Sequence, residues 1–199
     1  MNKELRLGIT IIVLFLSLSS YLFLAPRILS FLYQTRGGIQ IEQVLEFENE
    51  NLSDRITCEK RPATQSDQEK FGAAILNLQK AIKYDNGNEQ AYQMLGMIYC
   101  HLNDYNSAIQ SFINYTTLRP DNPLGHIKLG FAYEAASNNE AAIEQWKKAG
   151  ITDHDFVELG KNEQVSGQTS HAINWYQSAL LLDSSSDEAW LGLGKCYED

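Results

Sequence analysis

The residues best equipped for chemistry are four histidines (His101, His126, His154 and His171) and three cysteines (Cys58, Cys100 and Cys196). Cys100 and His101 are adjacent, a pairing that can open a metal site. Neighbouring helical positions point about 100° apart, however, and no second closely spaced pair completes a tetrahedral set. The cysteines contain no CxxC and no CxxCH, and three of them cannot all pair. Nothing in their spacing marks a disulfide framework, so they read as small buried hydrophobes. His154 stands between Asp153 and Asp155 in what reads as a helix start, where acids are favoured by unpaired amides. No glycine-rich phosphate loop follows a strand, and no nucleophile–histidine–acid set stands out. The expectation is a chain with no catalytic residues, no metal site and no cofactor.

The 199 residues, 44% hydrophobic and 21% charged, leave room for one ordinary globular domain. The formal net charge is −9. The first 35 residues hold Lys3, Arg6 and Arg27 against Glu4, so the remainder is more acidic than the whole. Such a surface repels nucleic-acid backbone and anionic membrane surfaces, and no nucleic-acid partner is expected. Residues 7–25, LGITIIVLFLSLSSYLFLA, run without a charge. At about 1.5 Å per residue, a helix over this stretch nearly matches a hydrocarbon core of about 30 Å. Ser17-Leu18-Ser19 offers a signal-peptidase site, yet the apolar run continues past it through YLFLA. The reading adopted is an uncleaved single-pass anchor, with a cleaved signal peptide as its rival. Lys3 and Arg6 face Arg27 and Arg36 across the span, and the free amino terminus tips the balance towards an extracytoplasmic main domain.

Beyond residue 66 the elements that would position any site repeat. Tyr92, Leu95, Gly96 and Tyr99 are followed by Ala108, Phe112 and Pro120. Positions 92, 95 and 99 share one helical face. Gly96 and Ala108 let two antiparallel helices approach, Phe112 fills the groove between them, and Pro120 ends the second helix. Asn122-Pro123 then caps and starts the next helix. The pattern recurs at Leu129, Gly130, Tyr133, Ala142 and Trp146, and again at Leu159, Gly160, Ala172, Tyr176 and Ala179. It returns at Trp190, Leu193, Gly194 and Tyr197. The glycine steps are 34, 30 and 34 residues, which places a shortfall of about one turn in the second helix of the second repeat or its exit.

The spacing W-x2-L-G-x2-Y with its downstream alanine, aromatic and proline resembles the tetratricopeptide repeat family over roughly residues 66–199. The resemblance implies an all-α, right-handed superhelical solenoid, here preceded by one transmembrane helix. It also implies a concave groove lined by the first helices and binding a protein or peptide partner. On this chain the apolar groove falls on Met97, Leu124, Ile127, Phe131, Val157 and Leu191, with Lys161 among them. The alternative is that these residues pack against residues 36–63 of the same chain. Family members that clamp a C-terminal carboxylate use lysine, asparagine and arginine at set groove positions. Gln93, Met97, Lys128, His154 and Glu158 stand there instead, so chaperone-tail binding is not expected.

The chain thus divides into a tail (1–6), the anchor (7–25), a poorly defined juxtamembrane segment (26–65) and a second-helix half-repeat (66–88). Repeats follow at 89–122, 123–152 and 153–186, then the first helix of an incomplete fourth (187–199). The half-repeat opens on a Ser66/Glu69 capping box. GGIQIEQVLEFENEN is its candidate partner helix, in degenerate form, and NLSDRITCEKRPATQ reads as a loop. The last helix carries the full inner-repeat pattern, leaving Trp190, Leu193 and Tyr197 as an exposed terminal face. Either the sequence is a piece of a longer protein or another chain covers that face. The function expected is a non-catalytic, membrane-anchored scaffold for protein interaction or complex assembly. The alternatives are an accessory region of a longer membrane-bound enzyme and an assembly subunit of a membrane complex.

Overall fold

The computed structural model describes the backbone of residues 3–45, Cys58 and residues 65–198, and their side chains apart from 3–19, 42–45, 65–67 and 70. Among the described residues all regular structure is helical. In chain order the helices are α1 (Lys3–Leu45), α2 (Gln65–Tyr84), α3 (Glu89–His101), α4 (Tyr105–Leu118) and α5 (Pro123–Ala135). They continue with α6 (Asn139–Lys148), α7 (Asp153–Val165), α8 (Thr169–Leu182) and α9 (Asp187–Glu198). Consecutive helices pack as antiparallel hairpins α3/α4, α5/α6 and α7/α8, with α9 laid on α8.

Helix boundaries follow local chemistry. Asn88, Asp104, Asn122 and Asn138 each cap a helix by accepting a backbone N–H, from Ala91, Ser107, Leu124 and Ala141. Pro123 supplies a first helical residue that needs no amide donor. Asn103, Ser137 and Gly167 hold one register position after α3, α5 and α7, all at φ between 57° and 76°. This left-handed residue turns each hairpin and satisfies the last carbonyls. In the α3/α4 hairpin Asn103 N–H donates to Cys100 O and Asp104 N–H to Tyr99 O. The predicted shortfall lies in α6, ten residues long against fourteen in α4 and α8.

The N-terminal third differs from expectation. A single helix of 43 residues runs through Pro26 and continues past residue 25, where the anchor was expected to end. Its C-terminal part packs along α2 and is the partner that α2 needed. A Cβ on Gly37 would lie 2.9 Å from Leu78 Cγ, and Ile41 is buried in the same cluster as Phe71 and Ala74. The helix α2 begins at Gln65, so Ser66 lies inside the helix and not at its cap; the Ser66 side chain lies outside the described residues. So does the loop expected over 51–65, save Cys58 and the Gln65 backbone. No helix among the described residues is long and apolar enough to cross a membrane. The side chains of 7–19, most of the expected 7–25 span, lie outside the description.

The cysteines overturn their reading as three buried hydrophobes. Cys58 and Cys100 form a disulfide across 42 positions, and Cys196 is buried outside that bond. The partners come from different elements brought together by the fold, which no local spacing records.

Two buried clusters hold the stack. One joins α1, α2 and α3 around Phe71, Leu78, Leu95 and Ile98. The other centres on Phe131, Trp146, Phe156 and Trp175, whose ring centroids lie 5.0–5.7 Å apart at tilted or edge-on angles. Full burial of a phenylalanine such as Phe112 or Phe156 contributes roughly 1.5–3 kcal/mol.

Candidate partner-binding surfaces

The groove expected from the repeat register is only partly open. Leu124 at 38% and Leu191 at 62% are exposed, and Met97 and Ile127 are half-buried. Phe131 and Val157 are not groove residues in this fold, being 3% and 1% exposed. The Phe131 ring is enclosed by Trp146, Phe156 and Trp175, aromatics of its own and the following hairpin that draw it into the core. The apolar strip therefore breaks into Met97, Leu124 and Ile127 at one end and Leu191 at the other. Cys100, at the same helical face one repeat earlier, is sealed by its bond to Cys58.

Between those ends the surface is charged. Lys161 is exposed, and its ammonium bridges Glu158 Oε1 at 2.9 Å and Glu188 Oε2 at 2.8 Å, tying α7 to α9. Hydrogen bonds that the ammonium donates, to Glu188 first and Glu158 second, hold it in its charged form above the usual lysine range, and the same contact holds the Glu188 carboxyl down. The ligand atoms of His154, Glu158 and Glu188 fall within 4.8 Å of one another, a grouping that separate repeats hid in the sequence. With the Lys161 ammonium already between the two carboxylates, the charge a cation would bring is supplied by the chain. On α5, Lys128 is 4% exposed, and burial pushes its ammonium down to about 8.

At the end of the stack, Trp190 and Tyr197 are exposed at 56% and 66%. Leu193 was expected beside them but is buried, because it faces back into the aromatic cluster under α9. Trp190 Nε1 donates to Ser184 O at 3.0 Å, which fixes the indole while its rings stay open.

The opposite end is apolar too. On α1, Tyr21, Leu22, Phe23, Leu24, Ile28, Phe31 and Leu32 are each at least half exposed. Below them Ser30 is buried and accepts a 2.8 Å hydrogen bond from Asn88 Nδ2. Tyr33 stacks on Tyr84 at 5.6 Å and Lys80 Nζ lies 5.4 Å over the Tyr33 ring, while Arg27 covers Phe23 at 4.9 Å. Aromatic and basic side chains thus meet on one side of α1 at the foot of its apolar stretch. Sequence reasoning missed Ser30 and the pairing of Cys58, while Gly37 opens the segment expected as the partner helix of α2 and does face Leu78 there.

Residues 77–110, from the second half of α2 into α4, match the tetratricopeptide repeat family. No curated protein matches the chain. Among solved structures, two crystal structures of MamA are similar at 23% and 22% identity, each with a TM-score of 0.44. They cover 67% and 75% of this chain and 75% and 84% of theirs. A thermophilic TPR protein of Thermus thermophilus is similar at 16% identity and a TM-score of 0.41, over 66% of this chain and 77% of its own. With the repeated helix hairpins, the matched repeat supports an all-α, tetratricopeptide-like chain.

Proposed function

We propose that this chain is a non-catalytic scaffold that holds protein or peptide partners beside a bilayer, anchored by α1, with its repeats on the extracytoplasmic side. The observation that carries the reading is the fusion of α1 to the stack. One helix presents seven large apolar side chains at least half exposed between Tyr21 and Leu32, then becomes the first helix of the α1/α2 hairpin. The core is complete without those side chains, and exposed apolar surface of this extent marks a contact site. The uncharged run 7–25 and the Tyr33, Tyr84 and Lys80 side chains below it favour lipid as that contact. The Cys58–Cys100 disulfide supports the side, because such bonds persist in oxidising compartments. For the partner, the support is the accessible apolar residues at the two ends of the groove, Met97, Leu124 and Ile127, and Leu191. Alkaline carbonate extraction of cell membranes containing the full chain tests the anchor. Retention in the pellet until detergent is added is the expected result; release by carbonate alone overturns it.

A further inference from the structure

The α2 helix runs back along α1 towards its apolar stretch. Asn77 Nδ2 donates to Gln40 Oε1 at 2.9 Å, a Cβ on Gly37 would lie 2.9 Å from Leu78 Cγ, and Tyr84 stacks on Tyr33. The turn that follows α2 ends at Asn88, which is bonded to Ser30. The last turns of α2 therefore stand beside residues 30–36 of α1, at the end of the exposed apolar side chains between Tyr21 and Leu32.

This level carries a charge that the chain as a whole does not. The formal net charge is −9, and in the repeats Arg119, Lys148 and Lys161 are each bridged to glutamate. Arg36, Lys80 and Lys83 are exposed, and among the described residues none of the three forms an ion pair. Lys80 Nζ lies 5.4 Å over the Tyr33 ring, and Lys83 follows one turn later beside Tyr84, itself 41% exposed. The acids at this end are engaged elsewhere: Asp85 Oδ1 accepts the Gly87 N–H at 3.0 Å, and Glu89 holds Arg119. The carbonyls that end α2 account for a cation at Lys83, but their pull fades within a turn and does not explain Arg36 on another helix.

Unpaired cations and aromatic rings beside an apolar surface complement an apolar phase with an anionic face. A soluble acidic peptide would match the charges and leave the side chains between Tyr21 and Leu32 in water. Charges more than about 8 Å away are largely screened at physiological salt, so acidic repeats farther along the stack do not cancel the patch.

We propose that Arg36, Lys80 and Lys83 form a headgroup site for anionic phospholipid in the leaflet beside α1, with Tyr33 and Tyr84 between them. The proposal rests on α1 lying in a bilayer and adds which lipid the anchor selects.

The full chain is placed in nanodiscs of equal parts phosphatidylcholine and phosphatidylglycerol, and the lipids that stay with it are counted by native mass spectrometry. Phosphatidylglycerol should be retained in excess, and Lys80→Gln with Lys83→Gln should cut that excess at least about fivefold, the worth of one basic side chain at an anionic surface. Lys80→Arg with Lys83→Arg should keep it. Lys147→Gln with Lys195→Gln removes the same charge from α6 and α9 and should leave it unchanged. All four lysines are exposed, so each variant should keep the helical circular dichroism of the parent. Equal retention of the two lipids by the parent overturns the proposal, as does an equal loss in the Lys147 and Lys195 variant. Displacement of phosphatidylglycerol by inorganic phosphate also overturns it, because the site would then take a free anion. Equal retention in a chain that resists carbonate removes only the headgroup site. A chain that carries neither lipid and is released by carbonate removes the anchor as well.

Discussion

Asn88 and Ser30 lie 58 residues apart in sequence and 2.8 Å apart across a hydrogen bond that pins α1 to the start of α3. Asn88 is 8% exposed and does two jobs: its Oδ1 accepts from the Ala91 N–H as the α3 cap, while Nδ2 donates to Ser30 Oγ. Asn88→Ala removes the cap, about 1 kcal/mol, and strands a buried hydroxyl, about 1–3 kcal/mol more. Ser30→Ala should cost only about 1 kcal/mol, since the cap survives. Thermal unfolding of the full chain in detergent checks the ranking, and equal losses would contradict the double role.

Glycine to alanine should change sign along the stack. At Gly96 the added methyl meets the Phe112 ring at 2.5 Å, and overpacking of this kind costs about 1–3 kcal/mol. At Gly194 the methyl meets nothing, and the helix gains about 0.5–1 kcal/mol from alanine. Melting temperatures of the two variants should therefore move in opposite directions. A loss at both positions would mean that the space over Gly194 is already filled.

These closures explain why the repeats were plainly legible and the first hairpin only in degenerate form. Gly96, Gly130 and Gly160 each meet an aromatic sixteen positions later, a spacing any reader of the sequence can find. Gly37 meets Leu78, forty-one positions on, because residues 46–64 intervene. Arg36 and Gln40 stand where the pattern expects leucine and an aromatic, so the opening helix hid behind polar residues and an apolar run that reads as membrane. The groove failed differently. Register placed Phe131 and Val157 on the groove face, but whether such a residue is open depends on its neighbours. Phe156 and Trp175, a repeat away in sequence, enclose Phe131.

The disulfide predicts both a thiol count and a stability loss. Without reductant, an alkylating agent in denaturant should label one cysteine, Cys196; with reductant it should label all three. On the chain-entropy scale, opening a link across 42 positions costs about 4 kcal/mol, and paired Cys58→Ser and Cys100→Ser should lower the melting temperature accordingly. Three labelled thiols in the oxidised protein would contradict the pairing.

Lys128 predicts a pH dependence. Its pKa is about 8 when folded, down from an ordinary value of 10.5, because burial disfavours the ammonium. Between those values the unfolded chain binds the proton and the folded chain does not, so stability rises with pH across that window. Relative to Lys128→Met, the native chain should gain up to about 3 kcal/mol from below pH 8 to above pH 10.5. Chemical denaturation of both proteins over this range measures the difference, and a flat difference would show that the folded ammonium is not desolvated.

The central claim is that one helix both enters the bilayer and opens the repeat stack. Amide hydrogen exchange of the full chain in phosphatidylcholine nanodiscs tests it most directly, because protection reports continuous helix and burial residue by residue. The account predicts unbroken protection from residue 7 through residue 41, passing Pro26 without a fast-exchanging gap and merging with that of α2 and α3. Rapid exchange across residues 20–32, with a protected stack beyond, would contradict it.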